Sequence, residues 1–187
     1  MGNDASKVAA GKPKVGGSIY CAPVGTALPT DASTALAEAY KCLGYVSEEG
    51  LKNNLDRSRQ EIKAWGGDTV MLLDNSVDDT FKYMLIECLN VEVLKHVYGS
   101  DNVTEDNGKI SVDVTDMPAA EEHVLVIETI LKDHLKRIIL PRAAVKEVAE
   151  IEYVDDDVIG YDTTVTCMPV VLSGKKVYHR ELIEEAS

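Results

Sequence analysis

The chain has 187 residues, 45% hydrophobic and 27% charged, with a formal net charge of −13 at pH 7. That composition suits one soluble globular domain, with or without arms, and the excess of carboxylates disfavours gripping nucleic-acid phosphates, which needs Lys and Arg to displace counterions. No apolar run approaches the ~18 residues that span a bilayer, and MGNDASKVAAGKPKVGG lacks the continuous apolar stretch of a signal peptide, so neither is expected.

Residues 1–16 read as a flexible arm with no large apolar side chain and a small positive excess, Lys7, Lys12 and Lys14 against Asp4. Ile19 to Val24 is a short strand. Over residues 29–44, PTDASTALAEAYKCLG, either a short helix or a compact loop fits. Asp31 would be its N-cap, Leu36, Tyr40 and Leu43 its apolar face and Gly44 its stop.

From Val77 to Ile86 the residues alternate, with Val77, Phe81, Tyr83 and Leu85 against Asp78, Thr80 and Lys82. The best helix signal follows. Asn90 caps it, Val91, Leu94, Val97 and Tyr98 make its apolar face, Lys95 and His96 suit its last turn, and Gly99 ends it. Asn107-Gly108 signals a type I′ turn. HVLVIETIL (123–131) and LKRIIL (135–140) predict a hairpin around Lys132-Asp133-His134. A further strand is expected over 145–153, with Val145, Ala149, Ile151 and Tyr153 on one face, and another over 158–167. Seven or eight strands and one helix predict a mainly β fold, a β-sandwich or small barrel with a flanking α-helix.

Charge is uneven along the chain. Residues 132–142 hold Lys132, Lys136, Arg137 and Arg142 against Asp133, a net +3. Residues 147–157 hold Glu147, Glu150, Glu152, Asp155, Asp156 and Asp157 with no base, a net −6. They read either as two solvated surfaces or as complementary faces of subunits stacked head to tail.

Signals for chemistry are sparse. Gly11 and Gly16 have phosphate-loop spacing, but Gly17 stands where Lys is required. The run DDDVIGYD (155–162) lacks the ligand order and closing Glu of a calcium loop. Cys21, Cys42, Cys88 and Cys167 show no CxxC spacing, and His96, His123, His134 and His179 no HxxxH. Reduced, buried thiols are expected, with no metal or cofactor. Glu61, Glu87 and Glu128 could serve as acids, yet nothing pairs them at a spacing that shifts a pKa. Gly2 with Ser6 matches a myristoylation pattern and Asn102-Val103-Thr104 a glycosylation sequon, and neither carries weight alone. No enzymatic role is expected.

The single Trp lies in EIKAWGGDTV (61–70). Trp65 is either a core residue at a tight turn, with Gly66 and Gly67 giving backbone freedom, or an exposed anchor on a long loop that grips a neighbouring subunit.

A set of segments carries a resemblance. KVGGSIYCAPVGTALPTDASTAL, LGYVSEEGL, DRSRQEIKAWGGDTV, FKYMLIECLNVEVLKHVYG, LKRIILPRAAVKEV and GYDTTVTCMP occur in that order, from about residue 14 to 169. Together they resemble the major tail (tail tube) proteins of long-tailed, non-contractile bacteriophages, most closely those of Gram-positive hosts. The resemblance implies a tube-protein sandwich over residues 17–169 with its helix near 90–98, and a structural subunit of the virion tail made in the host cytoplasm. Such subunits close into rings, usually of six, that stack into a conduit for double-stranded DNA, which passes without specific binding. Partners would be further copies, the tape measure, tail terminator and baseplate proteins, and no membrane.

The resemblance favours the anchor reading of Trp65, with Gly66, Gly67 and Asp68 beside it. Arg137 and Arg142 against Asp155, Asp156 and Asp157 are the stacking candidates. Residues 170–187 depart from the family pattern and read as a C-terminal extension. The rival reading is a β-sandwich binding module, such as a receptor-binding or adhesin-like tail component.

Overall fold

The structure, a computed structural model, describes residues 2–14, 18–115 and 121–186, with Ser6 described by its backbone alone. Gly16 and Gly17 of the glycine spacing, the last two residues of the expected arm, and the terminal Met1 and Ser187 lie outside that set. Among the described residues the fold is mainly β with one α-helix.

The expected arm is tied down at its far end. After a 3-10 turn at Ala5–Lys7, β1 (Gly11–Pro13) pairs with the strand at 122–131, and Lys14 N–H donates to the Glu128 carbonyl at 3.3 Å. β2 (Ile19–Pro23) pairs with the same strand, further along. Residues 24–40 form a compact loop, in which the Asp31 carboxylate accepts from the N–H groups of Ser33 and Thr34 at 3.2 and 2.7 Å. A helix N-cap signal therefore closes a turn that goes no further. β3 (Lys41–Cys42) adds to β2.

β4 (Val46–Lys63) and β5 (Thr69–Leu85) form one long antiparallel hairpin. α1 (Val91–Tyr98) follows. Asn90 Oδ1 accepts from Glu92 N–H at 3.0 Å, and Gly99, at φ 93°, closes the helix. The helix buries Val93, Leu94 and His96, so His96 sits in the last turn as expected but points into the core. β6 (Val103–Asp106) and β7 (Lys109–Val112) join at Asn107-Gly108, both with positive φ as a type I′ turn requires. The Asn102 side chain of the sequon is engaged, its amide donating to the Tyr98 carbonyl at 2.7 Å.

β8 (Glu122–Leu131) and β9 (His134–Val148) form the expected hairpin. β9 runs on through Pro141, although separate strands were expected over 135–140 and 145–153. His123 pairs with Ala143 and Leu125 with Leu140. Pro141 and Arg142 together thus oppose Val124, a bulge that excuses proline's missing N–H. Residues 149–160 leave the strand, and Tyr153 is exposed. β10 (Tyr161–Cys167) buries alternate residues, lying between β5 and β9. β11 (Val170–Leu172) and β12 (Lys175–Val177) make a small hairpin. β13 (Arg180–Glu185) pairs with the first half of β9, so the last part of the segment after Pro169 is built into the main sheet.

That sheet runs β3-β2-β8-β9-β10-β5-β4, with β1 on β8 and β13 on β9. Its edge strands β3 and β4 are consecutive in the chain, joined by residues 43–45. Three residues span at most ~11 Å, so the sheet must fold over until its edges nearly meet. They do not pair with each other, and the result is a sandwich-like body rather than a barrel.

The fold-over encloses the main core, which includes Leu43, Phe81, Tyr83, Leu85, Leu125, Ile127, Leu140 and Val165, with Val93 and Leu94 of α1. A second cluster, Val124, Val126 and Ile139 with Ala22 and Tyr40, lies on the opposite face of β8–β9. The 24–40 loop covers that face, which explains why β8 reads as an apolar run rather than an alternation.

Candidate functional site

The outer part of the β4–β5 hairpin leaves the body. Every residue from Lys52 to Ser76 is exposed, on both faces of both strands. From the Asn54–Thr80 pair to the Lys63–Thr69 pair the ribbon reaches roughly 30 Å at ~3.3 Å per residue. A two-stranded ribbon is marginal alone, and this one carries Leu55, Ile62, Val70, Met71, Leu72 and Leu73 in the open. Ile62 pairs with Met71 and Gln60 with Leu73, which gathers apolar groups on one face. The other face holds Leu72 beside Glu61, and Asp74 bonded to Arg59 Nε at 2.8 Å.

Trp65 sits at the tip and is fully exposed, at 106% of its reference area. A core role is thereby excluded. Ala64 N–H donates to the Asp68 carbonyl at 2.8 Å, and Gly67 N–H to the Ala64 carbonyl at 2.9 Å. Gly67 takes φ 93°, which a side chain would oppose. The glycines therefore turn the chain tightly enough to hold the indole outward. The stretch expected to be a long loop, 57–70, is strand on both sides of this turn. The missed signal was TVMLL, an aliphatic run after a turn sequence, which reads as a strand apolar on both faces.

The ribbon is anchored where it leaves the body. Asp79 of β5 is completely buried, at a gap in the expected apolar face of that strand. Asn53 Nδ2 donates to Asp79 Oδ1 at 2.8 Å and to the Thr80 carbonyl at 3.0 Å, and His179 Nδ1 bonds Asp79 Oδ2. The His179 ring also packs edge-on against Phe81, with centroids 5.3 Å apart. A buried carboxylate without partners would be costly, and here partners come from both sides of the ribbon's root.

The basic segment 132–142 is largely neutralised within the subunit. Arg137 is 1% exposed and bonded to Glu128, so it is not a surface group and drops out as a stacking contact. Arg142 clasps Glu122 through Nε and Nη2 at 2.7 and 2.6 Å, and Lys136 pairs with Glu181 at 2.8 Å. Arg142 stays half-exposed at the surface. Asp155, Asp156 and Asp157 lie in an exposed bend after β9, and Asp157 Oδ1 accepts from Val158 N–H at 2.7 Å.

The three suggested acids do not converge. Glu128 is paired with Arg137 and Lys14, Glu87 accepts from Tyr45 N–H and Asn90 Nδ2, and Glu61 stands on the ribbon. Burial pushes the Cys21 thiol up to about 12, far from a reactive thiolate.

No helix among the described residues is long and apolar enough to cross a membrane. No curated protein matches the chain. A family model described as phage tail tube protein matches residues 1–175 of the 187. An open β-sandwich with one helix and a projecting apolar ribbon is what a subunit completed by its neighbours would present, and the chain belongs to the phage tail tube protein family, structural components of the virion tail that assemble with one another and with other tail components into a tube.

Proposed function

We propose that this subunit closes into rings, usually of six, that stack into the hollow tube of a long non-contractile tail and carry double-stranded DNA into the host. The observation that carries the reading is the β4–β5 ribbon, exposed on both faces, rich in aliphatic side chains and tipped by Trp65. Exposed strands with apolar side chains invite pairing with further strands. Copies of the ribbon side by side would satisfy its backbone and cover its aliphatic groups, while Trp65, flanked by Gly66, Gly67 and Asp68, reaches an adjacent subunit.

Arg142 and the Asp155–Asp157 bend supply charge of opposite sign for contacts between stacked subunits. The net charge of −13 suits a conduit, because carboxylates repel a phosphate backbone instead of holding it. Tape measure, terminator and baseplate proteins would meet the tube along its lumen and at its ends.

Electron microscopy of concentrated protein tests this reading, and hollow rods with stacked annular repeats are expected. Discrete monomers or trimers under all conditions would point to a receptor-binding or adhesin-like module instead.

A further inference from the structure

Three side chains far apart in the chain meet under α1. Cys21 comes from β2, His96 from α1 and His123 from β8, and one ligand atom from each lies within 4.8 Å of the other two. Cys21 pairs with Leu125 and Pro23 with His123 across β2–β8, which puts Cys21 and His123 on one face of the sheet. His96 descends onto that face, its ring 5.6 Å from that of His123.

His96 is 4% exposed, and its Nε2 lies 2.8 Å from the Tyr83 hydroxyl. Its Nδ1 is buried with no hydrogen-bond partner among the described residues. An orphaned ring nitrogen is costly in a folded core. Beside a second imidazole and a thiol, a cation is the partner that would satisfy it.

We propose that Cys21, His96 and His123 bind a divalent transition metal ion of the zinc class, which staples α1 to β2 and β8. Thiolate and imidazole are the ligands zinc prefers, with Zn–S ~2.3 Å and Zn–N ~2.0–2.1 Å, so ligand atoms around a tetrahedron lie roughly 3.3–3.6 Å apart. The three ligand atoms, now within 4.8 Å of one another, would have to draw in to that spacing on binding. With Nδ1 on the metal, His96 carries its proton on Nε2 and donates it to the Tyr83 hydroxyl, the outer-shell hydrogen bond that fixes a ligating imidazole.

Binding forms one metal–sulfur and two metal–nitrogen bonds and releases one proton from Cys21 to solvent. The fourth position opens on a cavity of about 390 Å³ between α1 and β8, lined by Glu92 and Glu121 among others. Water fills that position, and the nearby carboxylates offset the cation's charge.

Cobalt(II) titration of the full chain after chelator treatment tests the site. One equivalent is expected to give tetrahedral visible bands and a near-ultraviolet thiolate charge-transfer band. Cys21→Ser should abolish the charge-transfer band, His123→Gln should weaken cobalt binding at least tenfold, and Cys88→Ser should change neither. Should the variants fail to fold, zinc protection of thiols against alkylation in the wild type decides, read peptide by peptide. Cys21 should be shielded by zinc and Cys88 should not. Absence of saturable cobalt uptake, a charge-transfer band that survives Cys21→Ser, or equal alkylation of Cys21 with and without zinc would overturn the proposal.

Discussion

Glu128 and Arg137 face each other directly across β8 and β9 and form a buried ion pair. The guanidinium has further work. Nη1 donates to the Asp31 carbonyl and Nη2 to the Thr34 carbonyl, both at 2.8 Å, while Lys14 Nζ reaches Glu128 Oε2 at 2.8 Å. One cross-strand pair thus pins the 24–40 loop over the second apolar cluster and fastens the N-terminal segment to the sheet. Removing one member of a buried pair costs about 3–5 kcal/mol, and loss of Arg137 would leave Glu128 with Lys14 alone. Arg137→Met should lose that much in urea unfolding, and Arg137→Met with Glu128→Leu should lose less than the sum of the two single changes. A loss under ~1 kcal/mol for Arg137→Met would mean that water reaches Glu128.

Trp65 makes no contribution to the isolated body, so Trp65→Ala should leave the unfolding midpoint within ~0.5 kcal/mol of wild type. Assembly should suffer, because an interface anchor is worth at least ~2 kcal/mol. The concentration at which rods appear should rise by about 30-fold. Sedimentation of assembled material across a dilution series measures it, and an unchanged threshold would remove Trp65 from the contact.

The same large-to-small change should have opposite consequences in the body and on the ribbon. Leu140→Ala opens a cavity in the main core and should cost about 2–5 kcal/mol of stability. Met71→Ser on the exposed ribbon face should leave stability nearly untouched and hinder rod formation. Thermal melts and electron micrographs of the two variants side by side separate folding from assembly.

Gly44 links the two sheet edges at φ +72°, and a Cβ there would lie 2.1 Å from the Glu87 carboxyl carbon. That carboxylate is held in place, accepting from Tyr45 N–H and Asn90 Nδ2 at 2.9 Å each. Gly44→Ala should therefore cost more than the ~1 kcal/mol of backbone strain alone, read as a lowered urea midpoint. A cost no greater than that strain would mean Glu87 swings aside freely.

The Arg142 guanidinium holds the Glu122 carboxyl below its ordinary value of 4.5. A lowered carboxylate stabilises the fold above its unfolded value and loses that contribution as pH falls through the folded one. Melting temperatures of wild type and Arg142→Gln should differ at neutral pH and converge as acid protonates Glu122 at its lowered value. A gap that persists in acid would assign the effect to packing of the Arg142 stem. Charge reversal, Arg142→Glu, should also shorten tubes in a salt-sensitive way if this residue serves stacking.

Local signals in the sequence were read correctly where local chemistry decides structure. Asn90 caps α1, Gly99 ends it, Asn107-Gly108 turns a hairpin, and β10 alternates as its residues do. Tertiary packing hid the rest. His96 was placed in the last turn because a basic residue near a C-terminus suits the dipole, and only the β2–β8 face beneath it explains its burial. Asp79 broke the alternation of β5 because its partner His179 comes from 100 residues further along the chain. Arg137 looked like part of a charged patch because the cover supplied by Asp31 and Thr34 folds back from distant sequence. Periods of two or 3.6 register neighbours along the chain, not groups that meet across it.

The pairing of Asp79 with His179 joins residues 100 positions apart. During translation the whole ribbon leaves the ribosome well before its root can be completed. A nascent chain therefore displays its apolar strands on a base that stays unfastened until His179 has been added.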